Sequence, residues 1–338
     1  MNLLEVQDLS VHFPVQPDWL GRPGAVVRAV DGVSFTVRPG ETVGLVGESG
    51  CGKSTLGRAI VRLESPTAGS IHFEGRDLSK LSGAELRAAR QRLQMIFQDP
   101  YGSLDPRWTA GEIVGEALLL REDRGTSAAR RDRVAGLLCD VGLDPAVMSR
   151  YPHEFSGGQR QRLGIARALA VEPRLLVCDE VVSALDVSVQ AQVVNLLASL
   201  QQARGLAYLF IAHDLAVVEH LSHRILVMYL GRVVESGTPS QICGAPLHPY
   251  TQALISAVPE PVPGAARRTR VLLKGDVPSP LHPPTGCPFH PRCPVAEARC
   301  REQVPPLVDV GDGRQAACWR VGEPSSQNPD RSPPIPPG

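Results

Sequence analysis

The sequence predicts an α/β fold with an antiparallel β region, an inserted helical region and a small cysteine- and proline-rich C-terminal appendage. Strand and helix patterns alternate after Arg174, which predicts parallel strands joined by helical crossovers. Helical periodicity dominates the middle of the chain, and beyond residue 258 it disappears while proline becomes dense. We therefore expect a core over 1–258, a helical subdomain within it at about 97–172, the appendage over 259–320, and a disordered tail over 321–338.

Strand patterns separated by turns occupy the N-terminal part of the chain, at residues 3–13, 26–37, 41–47 and 70–75. Apolar and polar residues alternate in the second segment, as in a half-buried antiparallel strand. The third segment is apolar almost throughout, which favours a parallel strand covered on both faces.

Apolar residues recur at helical spacing in three segments of the middle region, at 109–120, 130–143 and 157–170. Buried strand patterns then return at 174–179, 206–212 and 225–230, and a helical segment at 186–202 separates the first two. This order of strand, helix and strand predicts a parallel sheet.

Composition excludes little by itself. Lysine plus arginine and aspartate plus glutamate are balanced at 35 each, so no basic excess indicates a nucleic-acid partner. No run of about 18 apolar residues predicts a membrane span. Glu5 and Asp8 stand where a secretory signal would be basic and apolar, so we expect a cytoplasmic chain that reaches a membrane only by docking.

One glycine-rich segment, GESGCGKST, fits the phosphate-loop pattern G-x-x-x-x-G-K-[ST] and lies between a buried strand and a helical stretch. Its glycines let backbone N–H groups surround phosphate oxygens, and the following helix adds its positive end. Lys53 is expected to reach the β and γ phosphates, and the Ser54 hydroxyl to bind Mg²⁺. The predicted nucleotide-binding residues are Gly47, Glu48, Ser49, Gly50, Cys51, Gly52, Lys53, Ser54 and Thr55.

The buried strand pattern at 174–180 (RLLVCDE) ends in two acids, Asp179 and Glu180. Ligands bind at such strand ends in α/β folds, so Asp179 is expected in the Mg²⁺ shell and Glu180 as the general base that polarises water. The alternative is a pair of surface acids at a helix N-cap, which would be favoured without the phosphate loop.

A second glycine-rich helix start, at Ser156–Gln159, also suits a phosphate. One chain cannot easily direct both loops at one γ-phosphate, so a head-to-tail dimer is expected. Gln98 and His213 follow strand patterns; each alone is typical of a structural residue, but with the two acids they form a set.

Together these motifs resemble those of the ABC transporter ATPases over about residues 3–258. The resemblance implies a RecA-like mixed sheet, MgATP as cofactor, Glu180, His213 and Gln98 as catalytic residues, and Gln98 as a further Mg²⁺ ligand. It assigns nucleotide contacts to Phe13, which would stack on adenine, and to Ser156, Gly157, Gly158, Gln159 and the D-loop Asp186. Phe13 has the alternative of a plain apolar strand position. Phe155 and Val181 depart from the leucine and proline usual in the family.

Residues 98–109 (QDPYGSLDPRWT) and 248–258 (HPYTQALISAV) resemble the oligopeptide/dipeptide importer branch. That resemblance implies an ATPase coupled to solute import at the cytoplasmic face of the membrane. The implied partners are a paralogous ATPase subunit in a heterodimer, two membrane permeases and an extracellular solute-binding protein, with no nucleic acid.

Two other functions remain open at this point. A soluble ABC ATPase acting on nucleic acid or ribosomes would share every hydrolytic residue, but such proteins usually have two cassettes, a coiled-coil insert or basic surfaces. A nucleotide-binding module without turnover is opposed by Glu180 and His213.

Four cysteines, Cys287, Cys293, Cys300 and Cys318, lie in the predicted appendage. A cytoplasmic protein keeps such residues as thiols, and their spacing is wide for a zinc site. The family resemblance implies a structural [4Fe–4S] cluster here, with zinc or no metal as the alternatives. The remaining cysteines, Cys51, Cys139, Cys178 and Cys243, are expected to be small apolar fillers.

Overall fold

Two β-sheets organise the computed structural model, which describes residues 2–15, 24–99, 101–121, 125–257, 273 and 275–321. The strands are β1 Leu4–Pro14, β2 Val26–Val37, β3 Thr42–Val46, β4 Ala68–Phe73, β5 Arg76–Asp77, β6 Leu93–Ile96, β7 Leu175–Asp179, β8 Ala207–Ile211, β9 Arg224–Tyr229, β10 Arg232–Gly237, β11 Val308–Asp309 and β12 Gln315–Ala316. The fold is a mixed α/β architecture with parallel and antiparallel sheets, as the sequence predicts.

Nine α-helices accompany these strands within the described residues: α1 Lys53–Ile60, α2 Gly83–Arg92, α3 Ala110–Leu118, α4 Ser127–Asp140, α5 Gly157–Leu169, α6 Val187–Arg204, α7 Leu215–Leu221, α8 Pro249–Ser256 and α9 Ala298–Glu302. Short 3₁₀ segments lie at Leu78–Lys80, Pro145–Ser149, Pro152–Glu154 and His290–Arg292, and one π turn at Ser240–Gly244. In the described part of the chain, no helix is both long and apolar enough to cross a membrane.

The smaller sheet has the strand order β2-β1-β4-β5, and all its neighbours are antiparallel. One face of β1 and β2 is buried, for example at Leu4, Leu9 and Val30, and it shares a hydrophobic core with β3 and α1. This packing places β2 beside the loop that joins β3 to α1.

The larger sheet has the order β11-β12-β10-β9-β3-β8-β7-β6. Strands β6, β7, β8, β3 and β9 run parallel, and every residue of β3, β7 and β8 is buried, as in sheets covered on both faces. The carboxyl ends of β3, β7 and β8 therefore meet at one edge, where α/β folds bind ligands.

The middle of the chain folds as α3, α4 and α5, which pack on one another around Ile113, Leu138 and Leu163. The side chain of Thr109 accepts a hydrogen bond from the Glu112 N–H and so defines the start of α3. Helix α4 begins at Ser127, before the periodic segment at 130–143, because the Thr126 side chain caps it.

The described part of the predicted appendage, the cysteine-rich segment at 275–321, packs on the core. Strand β12 pairs antiparallel with β10, so the segment extends the main sheet. Arg314 forms a 2.6 Å ion pair with Glu235, whose side chain is fully buried, and Phe289 is buried against the core. Phe289 and Arg314 are buried only by contact with the core, so the segment packs on it. The predicted domain boundary at 258 lies outside the described residues, as does the predicted tail at 321–338 except for its first residue.

Candidate nucleotide-binding site

The phosphate loop connects β3 to α1 and is shaped by glycines. Gly52 has a φ of 105°, and a Cβ there would lie 1.9 Å from the Ala29 carbonyl oxygen of β2. A Cβ at Gly47 would lie 2.2 Å from the Met228 carbonyl oxygen. Side chains are therefore excluded at both positions, and the loop exposes backbone N–H groups at the start of α1, as phosphate binding requires.

The ammonium group of Lys53 lies at the centre of this loop. It donates to the carbonyl oxygens of Gly47 (2.8 Å) and Glu48 (3.1 Å) and lies 3.9 Å from a Glu180 carboxylate oxygen. Only 3% of the side chain is exposed, so the charge is confined to the loop. A buried cation in a loop that also exposes backbone N–H groups fits the phosphates of a nucleotide.

Ser54 and Asp179 meet where α1 passes the end of β7. The Ser54 hydroxyl donates a 2.7 Å hydrogen bond to Asp179. Burial raises the pKa of Asp179, and the Ser54 hydrogen bond partly opposes this shift. A hydroxyl and a carboxylate side by side are the hard oxygen donors that Mg²⁺ prefers, so the residues present fit a bound Mg²⁺.

The three polar side chains predicted around the reacting phosphate also come together. Glu180 accepts a 2.9 Å hydrogen bond from the Gln98 amide, and His213 Nδ1 lies 3.7 Å from the same carboxylate. Glu180 has a φ of 47°, in the left-handed region uncommon for non-glycine residues. Its carbonyl oxygen accepts hydrogen bonds from Ser183 N–H (3.1 Å) and Oγ (2.9 Å), which hold this turn. Strain of this kind occurs often at functional sites.

The second glycine-rich helix start lies elsewhere in the chain. Ser156 caps α5 by accepting from the Gln159 N–H at 3.3 Å, and Asp186 caps α6 by accepting from the Val189 N–H at 3.0 Å. These two helix starts are neighbours, because a Cβ at Gly158 would lie 2.4 Å from Val189 Cγ1. Among the described residues, neither Ser156 nor Asp186 lines the cleft at the phosphate loop.

Phe13 lies on the strand next to β2, which lines the cleft. It pairs on β1 with Val27 of β2, and Val27 lines the cleft together with Ala29 and Pro280. Phe13 is not among the described lining residues, so its stacking on adenine stays a prediction.

Sequence reasoning missed three contacts of the site. Pro280 lies at the cleft, and Tyr250 and Arg292 both bind Glu48 of the phosphate loop. Tyr250 lies in the HPY motif at 248–250, which indicated a family branch in the sequence but no contact with the phosphate loop. The two positions with unusual residues are both buried: Phe155 is 3% and Val181 is 2% exposed.

The four clustered cysteines are unpaired thiols that line one small cavity of about 20 Å³. Burial raises the pKa of Cys287 to about 11 and also raises that of Cys293 and Cys318. In the described part of the chain, no group of three or more His, Cys, Asp or Glu residues is arranged to hold a metal ion. The structure therefore does not support the predicted [4Fe–4S] cluster.

A family model described as "ABC transporter" matches residues 30–183, and one described as "Oligopeptide/dipeptide transporter, C-terminal region" matches residues 234–300. An oligopeptide transport ATP-binding protein, OppF of Salmonella typhimurium, is 53% identical over 94% of this chain and 96% of its own length. The chain belongs to the ABC transporter family. A probable peptide ABC transporter ATP-binding protein of Sinorhizobium fredii is 56% identical over 94% of this chain and 89% of that protein.

Solved structures agree with this membership. A dimeric ATP-binding cassette bound to ADP and Pi superposes with a TM-score of 0.63 at 26% identity, covering 70% of this chain and 98% of the other. The ABC ATPase family and its fold are therefore confirmed, and with them ATPase activity that uses ATP and Mg²⁺.

Proposed function

We propose that this chain is the ATP-hydrolysing subunit of an ABC importer for peptides. The observation that carries the proposal is the assembled hydrolytic centre, in which Glu180, Gln98 and His213 meet the Ser54–Asp179 pair beside Lys53. Peptides are the proposed solute class because the relatives are described as peptide and oligopeptide transport proteins and because the C-terminal region matches that branch.

The position of each residue in the cleft assigns it a role in ATP hydrolysis. Lys53 and the loop N–H groups hold the phosphates, and Ser54 and Asp179 would hold Mg²⁺, which neutralises phosphate charge. The Glu180 carboxylate accepts a proton from the attacking water, whereas Gln98 and His213 orient that carboxylate. The predicted role of Gln98 as a Mg²⁺ ligand belongs to the same proposal.

A second cassette completes the site. Ser156 and Asp186 do not line this chain's own cleft among the described residues, so they are free to serve the cleft of a partner bound head to tail. We infer that this partner is a paralogous ATPase subunit. Expressed alone, the chain is then expected to be largely monomeric and poorly active. Transport reconstituted from permeases and this ATPase alone would contradict the heterodimer.

The remaining partners follow from the importer function: two membrane permeases and an extracellular solute-binding protein, with the ATPase docked at the cytoplasmic face. The competing function, a soluble ABC ATPase acting on nucleic acid or ribosomes, is not favoured by relatives described as transport proteins. Affinity purification from a mild detergent extract distinguishes the two. Co-purifying permeases support the importer, whereas co-purifying RNA or ribosomes without permeases contradict it.

The iron–sulfur cluster is a separate prediction that carries no step of this mechanism. The four thiols line one cavity, but in the described part of the chain no group of three or more His, Cys, Asp or Glu residues is arranged to hold a metal ion. Metal analysis of the purified chain distinguishes a bound cluster from metal-free thiols.

A further inference from the structure

The phosphate loop contains a carboxylate that is bound by the C-terminal segment, which is the cysteine-rich segment at 275–321. Glu48 follows the first loop glycine, and its two carboxylate oxygens accept hydrogen bonds from Arg292 Nη1 (2.7 Å) and Nη2 (3.1 Å). This is a bidentate pair, the stronger geometry of the arginine–carboxylate contact. The Arg292 side chain is 8% exposed and that of Glu48 is 29% exposed, so the pair is partly shielded from solvent.

The backbone of Glu48 is fixed as well. Its N–H donates a 2.8 Å hydrogen bond to the hydroxyl of Tyr250, a buried residue of α8. Its carbonyl oxygen accepts from the Lys53 ammonium at 3.1 Å. Every polar group of Glu48 therefore has a partner, and two of these partners come from beyond residue 248.

Arg292 is itself held in place by aromatic packing. Three residues earlier, Phe289 is buried, with its ring centre 5.3 Å from that of Tyr229 in an edge-to-face arrangement and 5.5 Å from that of Tyr250. The Arg292 guanidinium lies 6.0 Å from the centre of the Tyr229 ring. The arginine is thus carried on a segment that is anchored in the core.

A second contact ties the same segment to the cleft. The Arg28 N–H of β2 donates to the Pro280 carbonyl oxygen at 3.4 Å, and Pro280 lines the cleft together with loop residues. The C-terminal segment therefore touches the nucleotide site both at the loop and at its rim.

The charges give these contacts a function. A triphosphate bound in the loop is strongly negative, and an unpaired carboxylate within the same loop would repel it. We propose that Arg292 is a positioning residue for ATP binding, which neutralises Glu48 and fixes the phosphate loop, so that the C-terminal segment forms part of the nucleotide site. This inference rests on nucleotide binding by the chain and needs no assumption about the transported solute.

The test measures equilibrium binding of trinitrophenyl-ATP to the full chain and its variants. Arg292→Ala leaves the Glu48 charge unpaired, and we expect binding about tenfold or more weaker. Adding Glu48→Gln to that variant removes the repelling charge, so the double variant is expected to recover most of the lost affinity. A role of Arg292 in packing alone, independent of the Glu48 charge, predicts no such recovery.

Arg301→Ala is the matched control, because it removes an exposed arginine from the same segment. Thermal unfolding of each variant checks folding, and if Arg292→Ala does not fold, Arg292→Gln replaces it with the same expected rescue. Wild-type affinity in the folded Arg292 variant would overturn the inference, as would a double variant that binds no better than the single one. Failure of the wild type to bind nucleotide would instead overturn the proposed ATPase site.

Discussion

Replacement of Glu180 by glutamine tests the hydrolytic centre with little disturbance of its geometry. Gln98 donates to one carboxylate oxygen of Glu180 at 2.9 Å, and the amide oxygen of a glutamine can accept the same hydrogen bond. The 3.9 Å attraction to Lys53 is lost, but Lys53 keeps its two loop carbonyl partners. We therefore expect the loop to bind MgATP as before.

The loss is concentrated in proton transfer, because an amide cannot accept the proton of the attacking water. General bases contribute roughly 10²–10⁴-fold to rate, so Glu180→Gln is expected to raise the barrier by about 2.7 to 5.4 kcal/mol. Release of inorganic phosphate by the chain assembled with its partners measures this effect, and trinitrophenyl-ATP binding verifies the unchanged affinity.

The accompanying expectation is an accumulated dimer, because ATP that is bound but not hydrolysed keeps the two cassettes closed. Size-exclusion chromatography of the chain together with its paralogous partner and ATP detects it. Glu219→Gln, an exposed acid on α7, is the matched control and should hydrolyse ATP normally. Hydrolysis by Glu180→Gln at the wild-type rate would refute the assignment of the general base.

Three further predictions concern a loop glycine, a buried histidine and the clustered cysteines. Gly52→Ala places a Cβ 1.9 Å from the Ala29 carbonyl oxygen at a φ of 105°. We therefore expect ATP affinity to fall by about tenfold or more in a binding titration. Gly136→Ala, whose Cβ meets open space, is the control and should leave the affinity unchanged. Burial lowers the pKa of His248 to about 3, so the folded state resists protonation of this side chain. The free energy of unfolding should therefore fall by about 1.4 kcal/mol per pH unit as the pH drops from 6.5 towards 3. Chemical denaturation at several pH values should show a weaker dependence of this free energy on pH in His248→Asn, and an equal dependence would contradict the prediction. Metal analysis of anaerobically purified protein should find no stoichiometric iron if the thiols lie as the structure has them, and about four iron atoms per chain, lost in Cys293→Ser, would instead establish the cluster.

The parts of the site that the sequence predicts are those encoded by short segments. Strand β2 covers residues 26–37 as its alternation predicts, and the phosphate loop follows a strand that is apolar throughout. Asp179 and Glu180 could be assigned to the sheet edge because a buried strand ends there. In each instance the neighbouring residues along the chain carry the information.

The parts that the sequence did not predict depend on contacts between distant segments. Arg292 and Glu48 are separated by 244 positions, and nothing in the local pattern of either segment indicates the pair. Strand β12 has only two residues, so its place in the main sheet is set by pairing with β10 and not by periodicity. The family resemblance implied a structural metal cluster in the cysteine-rich segment, whereas Phe289, Arg314 and β12 attach that segment to the core.

ATP-dependent uptake of labelled peptides tests the central claim most directly. Permeases, solute-binding protein, paralogous ATPase and this chain are reconstituted in lipid vesicles, with the binding protein on the face opposite the ATPases. We predict uptake that requires MgATP and falls strongly with Glu180→Gln. ATP hydrolysis by the complete assembly without uptake of any peptide from a mixed library would contradict the assignment of this chain to peptide import.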